Sequence, residues 1–135
     1  MIENIPQDMT EIENTAYVGL IAAQMLAGQT AKNAGWYKNP HTGEDIKRNF
    51  GEVIALMHSE LSEALEADRK GLMDSHLPHR DGREVEFADL IIRVLDTTCA
   101  LNLDIPGAFI EKNIYNQHRK DHRLEQRSDV GGKKY

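Results

Sequence analysis

Apolar side chains in this chain return every three or four residues through four separate stretches, the spacing of one face of an α-helix. No segment alternates apolar and polar residues with the period of two that a half-buried strand needs. The pattern therefore predicts an all-α protein. The first stretch opens at Thr10, where Thr10 and Glu13 match a capping box, and carries Ile12, Ala16, Leu20, Ala23 and Ala27 toward a stop near Gly35. Trp36, Tyr37, Pro40 and Gly43 then mark a loop. The second runs from about Phe50 to Lys70 with Phe50, Val53, Ile54, Met57, Leu61, Ala64 and Leu65 as its stripe, and Gly71 ends it. The third, from about Arg83 to Leu101, is apolar over most of its circumference, which is the pattern of a central helix. Asp104 reads as the N-cap of a fourth helix, with Pro106 in its first turn, reaching about Arg123. The helical core spans about residues 10–123, and the polar tail 125–135 is a poor helix former.

A chain of 135 residues fits one domain and is long enough to bury a helical core without staples. Its net charge of -6 argues against a nucleic-acid partner, because phosphate backbones are held by clustered Lys and Arg. Cys99 is the single cysteine, so no intrachain disulfide can form and a reducing compartment is expected. The first residues carry acids where a signal peptide would carry Lys or Arg, and no run approaches the roughly 18 apolar residues of a membrane span. The expectation is a cytoplasmic protein with no membrane partner.

Two acidic pairs stand out, Glu60-x-x-Glu63 on the second helix and Glu86-x-x-Asp89 on the third. Residues three apart share a helix face, so each pair presents two carboxylates in one direction. With Met57 at the centre of the second stripe, Glu60 falls roughly 60° away, Glu63 roughly 120°, and Glu66 roughly opposite. On the third helix the polar residues Glu86, Asp89, Arg93 and Asp96 form one narrow strip. If the two helices are antiparallel neighbours, Glu63 lies about 10 Å from its helix end and Glu86 and Asp89 about 5–9 Å from theirs, so the two pairs can converge. Two carboxylates 4 Å apart repel by about 4 kcal/mol at an effective dielectric of 20. Four together call for a cation or raised pKa values, and all-oxygen donors suit Mg²⁺ or Mn²⁺. The alternative is a solvated Glu-rich face.

A basic arc accompanies them. Lys112, Asn116, Arg119 and Arg123 recur at helical spacing within about 60° on the fourth helix. Such donors suit phosphate oxygens, although cations near a helix C-terminus are favoured by the macrodipole anyway.

The stretch GEVIALMHSELSEALEADRKGLMDSHLPHR, followed by EVEFADLIIRVLD and EKNIYNQHR, resembles the MazG-like all-α nucleoside triphosphate pyrophosphohydrolases, most closely their short stand-alone bacteriophage type. The resemblance covers roughly residues 35–123. It implies a four-helix core assembled as a homodimer or homotetramer, with Glu60, Glu63, Glu86 and Asp89 coordinating Mg²⁺, or Mn²⁺ as a substitute. The implied reaction is attack of a metal-activated water on the α-phosphorus of a nucleoside triphosphate, giving the monophosphate and pyrophosphate. Deoxynucleotides are the implied preference. Lys112, Asn116 and Arg119 match the segment that contacts phosphate or base, and Lys133 and Lys134 of the tail would reach a neighbouring subunit's site.

Other residues keep two readings each. Trp36, with Tyr37, either stacks on a base or seals the helix end. Arg93 and Asp96 either extend the site toward substrate or pair with each other. His79 and Arg80 either gate the site or form a surface turn, and Cys99 reads as core. Two rival functions stand beside the first: phosphoribosyl-ATP pyrophosphohydrolase, and a non-catalytic bundle that binds metal or a partner. A ferritin-like di-iron site is disfavoured, since no glutamate here has a histidine three residues on.

Overall fold

The structure, a computed structural model, describes residue 6 and residues 8–131. It is all-α, with four substantial helices: α1 (Glu11–Asn33), α2 (Phe50–Lys70), α3 (Gly82–Ala100) and α4 (Ile105–His118). A 3-10 turn (Lys120–His122) and the single-turn α5 (Leu124–Arg127) follow. Among the described residues the β features are two isolated bridges, Lys38 with Asp45 and Met73 with Asp81. No helix among them is long and apolar enough to cross a membrane.

The helix ends follow local chemistry. The capping box forms at α1: Thr10 N and Oγ1 each donate to Glu13 Oε2 at 2.8 Å, and Glu13 N donates back to Thr10 Oγ1 at 3.3 Å. Asn49 and Asp81 cap α2 and α3 by accepting from Glu52 N and Arg83 N. Gly71 closes α2 at φ 61°, a left-handed conformation that costs glycine little. The fourth helix stops at His118 instead of near Arg123. Arg119 is extended (φ −65°, ψ 127°) and grips Asp121 with two hydrogen bonds of 3.0 and 2.6 Å. Residues two apart do not face each other on a helix, so that pair and a continued helix exclude one another. The polar tail, expected to lack helix, begins inside the one turn of α5.

The chain divides into two compact units, residues 22–103 and the described residues of 1–21 with 104–131. In the first, α2 and α3 pack along one another. Asp68 meets Arg83 at 2.7 Å near the connection, and Glu60 meets Arg93 at 2.6 Å further along, which fixes the pair as antiparallel. The second half of α1 joins them: Gln24 Nε2 donates to Thr98 Oγ1 and the Leu103 carbonyl, both at 3.0 Å. Small residues supply most of this core, with Ala27, Ala31, Ala64 and Ala67 buried beside Val53 and Leu95.

The inward and outward faces differ from expectation on two helices. The third helix is not buried all round: Phe87, Ile91 and Ile92 are exposed, while Leu95, Asp96, Thr97 and Thr98 are buried. On α2 the buried line is Val53, Glu60, Ala64 and Ala67, and Phe50, Leu61 and Leu65 face out. An antiparallel partner selects one stripe only, and it has selected the one that holds the glutamate. In the second unit Tyr17 and Ile110 are buried, Asp104 Oδ1 accepts from Gly107 N at 2.9 Å, and Ile12 is exposed.

At Gly28 the backbone of α1 lies against Cys99 of α3. A Cβ there would lie 2.4 Å from Cys99 Sγ and 2.9 Å from Cys99 Cβ, and Cys99 is half-buried. Gly28→Ala is therefore expected to destabilise the protein by about 1–3 kcal/mol in urea unfolding. Adding Cys99→Ala removes the nearer clash and is expected to restore part of the loss. Equal stability of Gly28→Ala and the parent would refute the close packing.

Candidate metal centre and the adjoining cavity

The connection between α2 and α3 sets the register on which the site depends. Gly82 N donates to the Leu72 carbonyl at 3.0 Å, and Asp74 Oδ1 accepts from the amides of His76 and Leu77. A Cβ on Gly82 would collide with Ala67 Cβ and the Leu72 carbonyl oxygen, both at 2.9 Å, so glycine lets α3 begin directly against α2. Arg83 then clamps Asp81 and Asp68. With that register, Glu60, Glu63 and Glu86 bring one carboxylate oxygen each within 4.8 Å of one another. Glu60 is buried, Glu86 half-buried and Glu63 exposed. Asp89 stands outside this tight group, one helical turn along α3 from Glu86, and borders a cavity described below.

The electrostatics are those of acids crowded together. Burial, a hydrogen bond with Glu60 and the charges of Glu63, Glu60 and Asp89 push the Glu86 carboxyl up to about 7. Burial and the Glu60 charge raise Asp89, against the pull of Arg93. Glu60 is held by Arg93, whose Nε donates to Oε1 at 2.6 Å. One guanidinium thus faces several carboxylates, and a proton on Glu86 does part of the neutralising that a cation would do. The three carboxylates together could hold a metal ion through hard oxygen donors.

Glu63 and Glu86 line a small cavity of about 230 Å³, and a separate one of about 470 Å³, within the range of small-molecule sites, is reached through Asp89 and Arg93, the partner of Glu60. Asp89, Arg93, Asp96 and Arg48 supply the polar wall of this larger cavity, and Trp36, Leu56 and Ile92 its apolar wall. Trp36 remains exposed, so its ring is available at the rim, while Tyr37 is committed elsewhere: its hydroxyl donates to Asp96 Oδ1 at 2.7 Å. Burial and Asp96 together push that phenol up to about 12. Arg93 and Asp96 do not pair with each other. Arg93 takes Glu60, and buried Asp96 accepts from Arg48 Nη1 at 3.2 Å as well as from Tyr37. Arg48 was not a sequence candidate, since it lies in an aperiodic loop; its one signal is that Asp96, on an inward strip, needs a cation.

The basic residues belong to the other unit. Lys112 sits over the Tyr115 ring at 4.6 Å, and Arg119, paired to Asp121, lies 5.7 Å from the same ring. Lys112, Tyr115 and Asn116 line a cavity of about 760 Å³, and Asn116 Oδ1 is buried without a hydrogen-bond partner. Because α4 ends at His118, Arg119 and Arg123 do not continue the helical arc. Lys133 and Lys134 lie outside the described residues. Glu66 pairs with Arg69 and Lys70 on the surface, and Arg80 with Glu84. No family model, curated protein or solved structure matches the chain.

The raised Glu86 carboxyl has a definite sign in stability. The unfolded chain releases this proton near 4.5 and the folded chain holds it to about 7, so metal-free stability falls as pH rises through that window. Thermal melts in a chelating buffer are expected to show the fall, and Glu86→Gln to flatten it. A divalent cation bound by Glu86 would have to displace this proton, so any stabilisation by added Mg²⁺ is expected to grow from pH 5 to above about 7. A metal response independent of pH across that range would contradict this electrostatic picture.

Proposed function

We propose that the protein is a Mg²⁺-dependent pyrophosphohydrolase of nucleoside triphosphates, of the MazG-like type its sequence resembles. The observation that carries this reading is the convergence of Glu60, Glu63 and Glu86 from two antiparallel helices, with Arg93, the partner of Glu60, and Asp89 lining a cavity of about 470 Å³. Glu60, Glu63, Glu86 and Asp89 would hold the ion, with Mn²⁺ a possible substitute. Bound Mg²⁺ supplies charge neutralisation for a polyphosphate and lowers the pKa of water toward neutrality.

The chain's own groups complete the arrangement. Arg93 fixes the Glu60 carboxylate and keeps one buried acid neutralised before substrate arrives. Glu86 would give up its proton to serve as a ligand for the cation. Arg48 and Arg93 place positive charge on the cavity wall next to Asp89, where phosphate oxygens would lie. Trp36 offers an exposed aromatic face for a base. Lys112, Asn116 and Arg119 remain candidates for substrate contact, on the strength of the sequence resemblance.

A homodimer or homotetramer belongs to the same proposal. Leu61 and Leu65 on α2 and Phe87 and Ile91 on α3 are exposed large apolar side chains that a subunit contact would cover. Ile91→Glu is expected to shift the protein toward monomer in light scattering. A parent protein already monomeric would defeat the oligomer proposal.

The activity is tested by measuring pyrophosphate release from the common ribo- and deoxyribonucleoside triphosphates and from phosphoribosyl-ATP. Release is expected with Mg²⁺ and not with chelator. Glu63→Gln and Glu86→Gln are each expected to lower kcat by at least about 100-fold, and Trp36→Ala to act mainly on KM. Absence of pyrophosphate release from every substrate, by folded protein with Mg²⁺, would end the enzyme reading.

A further inference from the structure

Another cavity in residues 22–103, of about 640 Å³, opens at the amino end of α2. It is separate from the cavity beside Asp89, although Arg48 lines both. Three features meet there. The first is a set of donors. Asn49 already serves Glu52 N through its side chain and Val53 N through its carbonyl, which leaves the Phe50 and Gly51 amides as first-turn donors without a protein acceptor among the described residues. Lys47, exposed, stands beside them on the cavity wall. The second feature is a buried hydroxyl. Thr97 lines the cavity, is 7% exposed, and its Oγ1 has no hydrogen-bond partner. The adjacent Thr98 hydroxyl, by contrast, donates to the Val94 carbonyl at 2.8 Å. Hydroxyls buried in native proteins are rarely left unpaired, so Thr97 is in want of a ligand atom. The third is an apolar lining from Tyr37, Ile46, Phe50, Val53, Ala100 and Leu101.

We propose that this cavity is a second ligand site, taking a small organic anion that joins a phosphate or carboxylate to an apolar or aromatic body. The anionic group would sit against the Phe50 and Gly51 amides with Lys47, where the helix dipole favours negative charge. The body would lie along Tyr37, Phe50 and Leu101, with a polar atom at Thr97. Two acids bear on the balance. Asp96 takes a hydrogen bond from Arg48, and Glu52 sits in the first turn of α2. The attraction must therefore come from Lys47 and the amides more than from Arg48. A Cβ at Gly51 would crowd the capping Asn49 Oδ1 at 3.2 Å, so glycine there spares the cap.

The site contains none of the clustered carboxylates and shares Arg48 with the cavity beside Asp89. Its test is amide-resolved NMR titration of the whole protein in metal-free buffer with phenyl phosphate, and with inorganic phosphate and phenol as comparison probes. Phenyl phosphate is expected to shift the Phe50 and Gly51 amides saturably, and to bind at least about tenfold more tightly than either comparison probe. Lys47→Gln and the isosteric Thr97→Val are each expected to weaken it by about 3–10-fold, whereas Glu63→Gln leaves it unchanged. No saturable shift at Phe50 and Gly51 would overturn the proposal. So would equal affinity for phenyl phosphate and inorganic phosphate, or undiminished binding by both the Lys47 and Thr97 variants.

Discussion

The antiparallel contact between α2 and α3 turns carboxylates toward the packed side of the helix pair, and much else in the molecule answers that constraint. An acid loses hydration when it is buried and must recover the loss from a proton, a partner or an ion. The structure uses the first two. Glu60 recovers it from Arg93, Asp96 from Arg48 and Tyr37, and Glu86 by holding its proton to about 7. These neutralisations are unequal. Asp96 is enclosed by two fixed donors and is buried, so it anchors the loop after α1 to α3. Glu60 shares one donor with a crowd of neighbouring acids, which leaves the cluster short of positive charge. The helix pair is thus stable in one place and electrostatically unfinished in another, a few turns apart.

Giving the inner face to acids leaves fewer positions for large apolar side chains. The interior of residues 22–103 relies on alanines, Val53 and Leu95, with Gly28 letting α1 reach α3 at Cys99. Small residues permit close helix approach but remove little apolar area from water, and burial scales with that area. Phe87, Ile91, Ile92, Leu61 and Leu65 are consequently left on the outside. The same choice of stripe therefore accounts for the proposed ion site and for the apolar surface behind the proposed oligomer. If subunits cover that surface, much of the stability of the fold resides in the assembly.

Much of the fold was legible because it rests on local rules. The α2 limits, Gly71 as its stop, the Thr10 capping box and the Asp104 cap follow from residue type and position. The carboxylates were legible from spacing and from resemblance. Which face α2 and α3 turn inward was not. The spacing let the acidic pairs converge but could not say how deeply each would sit: Glu60 and Asp96 are buried, Glu86 is half-buried and Asp89 is exposed. The end of α4 was lost for a similar reason: helical spacing of Lys112, Asn116, Arg119 and Arg123 is real in the sequence, but the Arg119–Asp121 clasp outweighs it. Arg48 carries no periodic signal at all, because loops place side chains by tertiary contacts.

Arg48 also shows how two cavities of this unit are related. Its guanidinium bonds Asp96 and lies 5.9 Å from the Tyr37 ring centroid, and it forms part of the wall of both spaces. Asp96 is fixed by α3, Tyr37 by the start of the loop, and Arg48 by the N-cap residue that follows it. A side chain held by both Asp96 and the Tyr37 ring has little rotamer freedom left to lose when a ligand arrives on either side. The wall between the cavities is therefore preorganised. The acids of α3 supply that rigidity as well as the charge of the cluster, so the cost of turning them inward serves both cavities.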